Sequence, residues 1–180
     1  MAQLTIATER LEIISATIET ICAEIEDKSK FSEMINARIG YVWPPEAMVD
    51  ALAIFKHKIK EAPDKAGLVH WYWILRDDVT YGRVLIGSGG FCGLSPDGTL
   101  MIGYWMHDDY HNQGYGTEAV KALVEWAFCQ KGVKRIIADT YPYLKPSIRV
   151  LEKNGFKLTG AGSEENAIRY ELKKAEDEDQ

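Results

Sequence analysis

Apolar residues recur along this chain with two different periods, and the switches between periods lay out its elements. Leu11, Ile13 and Ile14 predict a short first strand over residues 10–14. From Thr17 to about Ile25, the spacing of Ile18, Ile21, Cys22 and Ile25 predicts a helix with those four on one face. The stretch 27–39 is ambiguous. Pro44 and Pro45 mark a helix start, and Met48, Leu52, Phe55 and Ile59 continue it at three- and four-residue steps. Residues 69–75 are aromatic and β-branched and read as a strand, with Trp71 and Trp73 on one face and Tyr72 on the other. Asp77 and Asp78 predict a turn. A second strand follows over 81–91, then a hairpin turn at Pro96, Asp97 and Gly98, then a strand over 100–106.

The clearest helical pattern runs from about 114 to 130. Val120, Leu123, Val124, Ala127 and Phe128 form its buried stripe, and Glu118, Lys121 and Glu125 form an exposed ladder of charges. Gly132 ends it. Residues 133–139 read as a strand. Pro146 opens a last helix that stops at Asn154 and Gly155, and 156–158 with 167–172 form a closing hairpin. The order is strand, helices, three-strand meander, helix, strand, helix, two strands. It fits one layered, mixed α/β domain. The chain shows no repeat and no linker.

Composition narrows the function classes. A chain of 180 residues with an ordinary apolar content can bury a real core. A net charge of −6 and the lack of any basic block exclude a general nucleic-acid binder. The acidic run at 176–179 reads as a solvated end. Cys22, Cys92 and Cys129 are isolated, without metal-ligand spacing, and are expected in or near the core of a reduced, cytoplasmic protein. No metal site is expected, no signal peptide is visible, and no apolar run is long enough for a membrane span.

The segment 103–120, GYWMHDDYHNQGYGTEAV, places a strand, a loop with two glycines and a helix start in succession. A helix N-terminus carries unpaired N–H groups and the positive end of the helix dipole. Gly114 and Gly116 remove side chains that would keep a bulky anion away, so the expected ligand is a phosphate or pyrophosphate. The Gly87-Ser-Gly-Gly90 run is not a dinucleotide fingerprint, because it leads toward a hairpin and not a helix.

The 103–120 segment resembles motif A of the GNAT acetyltransferases, Gln/Arg-x-x-Gly-x-Gly/Ala, in the form typical of the RimJ/RimL-like branch. The segment 147–156, SIRVLEKNGF, is similar to the closing helix and Gly-Phe turn of that family. The segment 8–13, TERLEI, is similar to its opening strand. The resemblance covers residues 6–173, implied to be one acetyltransferase domain, with 174–180 an acidic disordered tail.

That resemblance implies a GNAT fold, a central, mostly antiparallel, splayed sheet flanked by helices. It implies acetyl-CoA as cosubstrate and an amine acceptor, either a protein N-terminal α-amine or a small amine such as an antibiotic or polyamine. It implies a monomer or homodimer. The pyrophosphate would be held by His111, Asn112, Gln113, Gly114, Tyr115, Gly116 and Thr117. His111 stands where the motif has Gln or Arg, and is either a phosphate donor or a solvated loop residue. The splayed strands would be 103–106 and 136–140, with the backbone of Trp105 and Met106 pairing with pantetheine. The tyrosine that many members use to protonate the thiolate is replaced by Leu151, and a frequent asparagine by Leu144, which leaves a non-catalytic acyl-CoA-binding or sensor domain as the alternative. Ser147 is the candidate donor to the sulfur; otherwise it is a first-turn serine of the helix. Glu46, Asp97, His107 and Glu165 are candidate bases, while His70 reads as structural. Trp43 either faces the acceptor or anchors the following helix.

Overall fold

Every stretch read as a strand from its β-branched and aromatic content is a strand in the computed structural model, which describes residues 3–175, Ala47 by its backbone alone. The acidic run at 176–179 lies outside the described residues. In chain order the elements are β1 (Thr5–Ala7), β2 (Leu11–Ser15), α1 (Ile18–Glu26), α2 (Lys28–Ile35), β3 (Arg38–Ile39), α3 (Glu46–Glu61), β4 (His70–Asp78), β5 (Gly82–Cys92), β6 (Thr99–Met106), α4 (Tyr115–Phe128), β7 (Arg135–Thr140), α5 (Lys145–Lys153), β8 (Lys157–Ala161) and β9 (Ile168–Lys173). The strands pair in the order β1-β2-β4-β5-β6-β7-β9-β8, with β3 added beside β5. The registered pairs are antiparallel except β3 with β5 and β6 with β7. The described residues form two compact units.

The first unit comprises the described residues up to Gly90 together with Tyr104–Tyr110. Its core is built on β2 and β4, whose register runs from Leu11 opposite Leu75 to Ser15 opposite Trp71. Trp71, Tyr72 and Trp73 are all fully buried, so both faces of β4 are covered. Each such side chain contributes roughly 2–3 kcal/mol through the area it removes from water. Trp71 Nε1 donates to the Gly67 carbonyl at 2.7 Å. Two glycines of β5 have steric reasons. A Cβ on Gly87 would lie 2.6 Å from the Trp105 carbonyl oxygen, and one on Gly90 would lie 2.0 Å from that of Val69. Between Trp73 opposite Gly87 and Ile74 opposite Leu85, β5 carries one extra residue, Ile86, whose carbonyl accepts from His107 N at 2.8 Å.

The ambiguous stretch 27–39 resolves into α2 and β3. Asp27 closes α1 and caps α2, its carboxylate accepting from Ser29 N and Lys30 N at 3.1 Å each. Asn36, left-handed at φ 47°, ends α2. The expected turn at Asp77 and Asp78 falls later: β4 runs through Asp78, whose carboxylate accepts from Thr80 N and Tyr81 N at 2.9 Å and so shapes the turn that follows. The buried face of α1 also differs from the expected one. Thr20, Ile21, Ala23 and Glu24 are inside, and Ile25 is 46 % exposed.

The second unit comprises Phe91–Gly103 and the described residues from His111 on. Within it β6 pairs in parallel with β7 over Thr99–Met101 and Arg135–Ile137, and β7 continues along β9 as far as Thr140 opposite Ile168. The expected turn at Pro96–Gly98 is present, with Gly98 at φ +87° and its N–H on the Ser95 carbonyl. The buried stripe of α4 is the predicted one, widened by Gly116, Ala119 and Ala122, with Phe128 half-buried at its end. Lys121 and Glu125 pair at 3.9 Å on the outer face. Asp139 holds Arg169 through two bonds of 2.8 Å, joining β7 to β9. The cysteines depart from expectation: Cys92, the last residue of β5, and Cys129, the C-cap of α4, are exposed at the ends of their elements, and Cys22 on α1 is half-buried.

Candidate active site

The motif that pointed to an anion forms a tight structure in the second unit. Asn112 takes a left-handed φ of 59°, and Gly114, at φ 87°, is the N-cap of α4. A glycine adopts that conformation without a Cβ penalty and offers no capping side chain of its own. Glu118 N donates to the Gly114 carbonyl at 3.0 Å, the first bond of the helix. By helix geometry the amides of Gly116 and Thr117 have no acceptor one turn back, and they sit at the positive end of the helix dipole. Gly116 is buried, Thr117 half-buried, and Asn112, Gln113 and Gly114 exposed. His111 and Tyr115 are half-buried at either side of them. All seven predicted phosphate-side residues therefore share one loop and one helical turn.

The last helix is tied to that turn, since Nδ2 of Asn154, the C-cap of α5, donates to the Thr117 carbonyl at 3.2 Å. Ser147 is the third residue of α5 and half-buried. Leu151, one turn on, is fully buried, so that position fills the core and carries no proton. Leu144 is the exposed N-cap residue of α5.

In the first unit Trp43 is 8 % exposed, and its ring meets that of Trp105 edge-on, 5.8 Å between centroids at 62°. Trp105 is half-buried, and His107 lies edge-on to it at 6.2 Å. Trp43 Nε1 donates 2.9 Å to Glu24 Oε1, while Tyr72 Oη donates 2.6 Å to Glu24 Oε2. Burial pushes the Glu24 carboxyl up to about 7, against the opposing effect of these two bonds. The sequence reading missed Glu24. Its signal was its place three residues after Ile21, on the face that the helix buries. His70 is fully buried and stacked on Phe55 at 4.8 Å, and burial pushes it down to about 3, in keeping with the structural reading.

The four candidate bases fall apart in setting. The Asp97 carboxylate accepts from Ser95 Oγ and Arg135 Nη2, each at 2.5 Å, and the Ser95 bond foremost holds it at about 2, so it is a turn residue and a poor base. Glu46 and Glu165 are exposed. His107, half-buried beside Trp105, is the one of the four set against an aromatic wall. Among the described residues no three His, Cys, Asp or Glu side chains gather as a metal site, and no helix is long and apolar enough to cross a membrane.

The chain belongs to the acetyltransferase (GNAT) family, whose domain model matches residues 16–157. It is an acetyltransferase enzyme that binds acyl-CoA. It is 25 % identical over 159 residues to the uncharacterized N-acetyltransferase YjdG of Bacillus subtilis, covering 87 % of this chain and 92 % of that one. In fold it is similar to a GNAT-family acetyltransferase from Bacillus anthracis, with a TM-score of 0.60 at 23 % identity, covering 94 % of this chain and 98 % of the other. It is also similar to RimL, a ribosomal L7/L12 α-N-protein acetyltransferase solved with coenzyme A. There the TM-score is 0.68 at 15 % identity, over 94 % of this chain and 98 % of RimL. Both likenesses are of fold.

Proposed function

We propose that the enzyme transfers the acetyl group of acetyl-CoA to a primary amine by direct attack in a ternary complex, and that the acceptor is the α-amine of a protein N-terminus. The observation that carries the reading is the α4 N-terminus. Gly114 is left-handed there and, as the N-cap, brings no capping side chain of its own to the first-turn amides, which suits a pyrophosphate. His111, Asn112, Gln113, Tyr115 and Thr117 surround that anion, and the backbone of Trp105 and Met106 takes the pantetheine amides. Preorganised N–H groups of this kind stabilise the oxyanion of a tetrahedral intermediate.

The neutral amine attacks the thioester carbonyl, a C–N bond forms, and the C–S bond breaks. The amine proton leaves through His107 or water, and Ser147 donates a hydrogen bond to the departing sulfur, since Leu151 cannot. This chemistry asks for no metal. Trp43 and Trp105 form the acceptor side. Tyr41, 98 % exposed, and Val42 precede Trp43 in the chain and offer apolar surface to the residues of a peptide behind its amine. The same surface gives a small polar amine little to hold.

The test is acetyl-CoA-dependent thiol release over a panel of unblocked tetrapeptides with Ala, Ser, Met or Thr at position one, alongside spermidine and an aminoglycoside. Turnover with the peptides above that with the small amines supports the reading. Turnover confined to spermidine or the aminoglycoside replaces the acceptor class. Silence across the panel removes the amine-transfer reading.

A further inference from the structure

A buried carboxylate costs stability unless its hydrogen bonds are made, and it is seldom placed without a use. Glu24 is such a group, 5 % exposed on α1 among Ile21, Phe31 and Tyr72. Its two oxygens are divided between two donors, Trp43 Nε1 at 2.9 Å and Tyr72 Oη at 2.6 Å. Tyr72 is also held by packing on both sides, fully buried against Phe31 at 5.0 Å and His70 at 5.0 Å. Trp43 is different. It comes from the segment between β3 and α3, beside the exposed Tyr41 and Val42, and its ring ends on Trp105. An indole is free to turn about two side-chain bonds, and the bond to Glu24 fixes which edge it shows to Trp105. The carboxylate lies too deep to touch a substrate, so any effect on the reaction passes through Trp43.

We propose that Glu24 is a positioning residue for the acceptor: by holding Trp43 Nε1 it sets the edge-on packing of Trp43 against Trp105, and with it the wall that receives the amine. The inference rests on the acceptor site proposed above. It assigns a role in substrate choice to a side chain outside motif A, on the far side of the indole from the chemistry. It also accounts for a carboxylate, and not a leucine, at this core position. A leucine of similar size would fill the space and leave Trp43 Nε1 without an acceptor.

The experiment compares Glu24→Leu, Glu24→Gln and Trp43→Phe by steady-state kinetics at pH 7.5, with the best tetrapeptide or amine of the panel above. Glu24→Leu is expected to raise the acceptor KM by about tenfold and to leave the acetyl-CoA KM within about twofold. Glu24→Gln keeps an oxygen for Trp43 Nε1 and donates its amide N–H to Tyr72, and is expected to restore wild-type values. The double variant Glu24→Leu with Trp43→Phe is expected to be no worse than Trp43→Phe alone, because one acts through the other. If Glu24→Leu does not fold, the indole N–H resonance of Trp43 decides, assigned by its loss in Trp43→Phe. Acceptor is expected to shift it more than CoA does. Equal rises in both KM values, a Gln variant as impaired as Leu, fully additive losses, or a Trp43 resonance indifferent to acceptor each overturn the inference and leave the transferase reading standing. A wild type silent on every acceptor removes both.

Discussion

The indole of Trp43 donates to the carboxylate of Glu24 at 2.9 Å, a bond between two buried side chains 19 residues apart in the chain. It links a helix that no motif marks to the loop expected to face the acceptor. Burial holds the Glu24 carboxyl near 7, against 4.5 for an ordinary glutamate, which makes the bond sensitive to pH.

The sign of that sensitivity is unusual for a carboxylate. Between pH 4.5 and about 7 the folded protein binds a proton at Glu24 that the unfolded chain has released, so stability falls as pH rises through that window. The change reaches about 3 kcal/mol at most. His70 acts oppositely, its contribution being lost as pH falls from 6.5 toward about 3. Comparing wild type with Glu24→Gln at each pH removes the His70 contribution. Denaturant unfolding should show wild type losing stability relative to the variant as pH rises from 4.5 to 7. A flat difference would show that Glu24 titrates like an exposed glutamate.

Saturating CoA should stabilise the wild type by about 2.7 kcal/mol at a hundredfold excess over Kd. Gly116→Val places a branched side chain in the first turn of α4 and should abolish most of the shift, measured against the variant's own ligand-free melting temperature. A full shift in the variant would move the pyrophosphate elsewhere.

Ser147→Ala should lower kcat by about 10²-fold with little change in CoA affinity, as expected for a donor to the sulfur. An unchanged kcat with a small loss of stability would make Ser147 only a first-turn residue of α5.

Two glycines in the sheet should respond in opposite ways. Gly90→Ala drives a Cβ to 2.0 Å from the Val69 carbonyl oxygen and should cost more than about 2 kcal/mol. Gly103 has nothing within 4 Å of its Cβ position, so Gly103→Ala should stay within about 0.5 kcal/mol of wild type. Chemical unfolding of both variants gives the comparison.

Much of this was legible in the sequence because it rests on local physics. The stripe from Val120 to Ala127 and the Pro96–Gly98 turn depend on neighbours within a few residues, and motif A gathers its seven phosphate-side residues in one short segment. What was not legible depends on residues far apart. Nothing near Glu24 in the chain announces that Tyr72 and Trp43 will meet it, so Glu24 was passed over and the buried face was drawn through Ile25. The reason for Gly87 is likewise the Trp105 carbonyl, a partner from another strand. Asp97 was a different miss: the Ser95 hydroxyl that foremost lowers it is two residues away, within the turn already expected at Pro96–Gly98, and only the Arg135 bond, 38 residues distant, was out of local reach.

Direct transfer from acetyl-CoA to an amine passes through no acetylated form of the protein. The enzyme is mixed with acetyl-CoA and the best unblocked peptide, quenched during the first turnover, and the peptide, the CoA thiol and the intact protein are weighed by mass spectrometry. The peptide should gain one acetyl group on its α-amine for each thiol released, while the protein's own mass stays unchanged throughout. Thiol release without acetylated peptide, or an acetyl group resident on the protein before the peptide gains one, would contradict it.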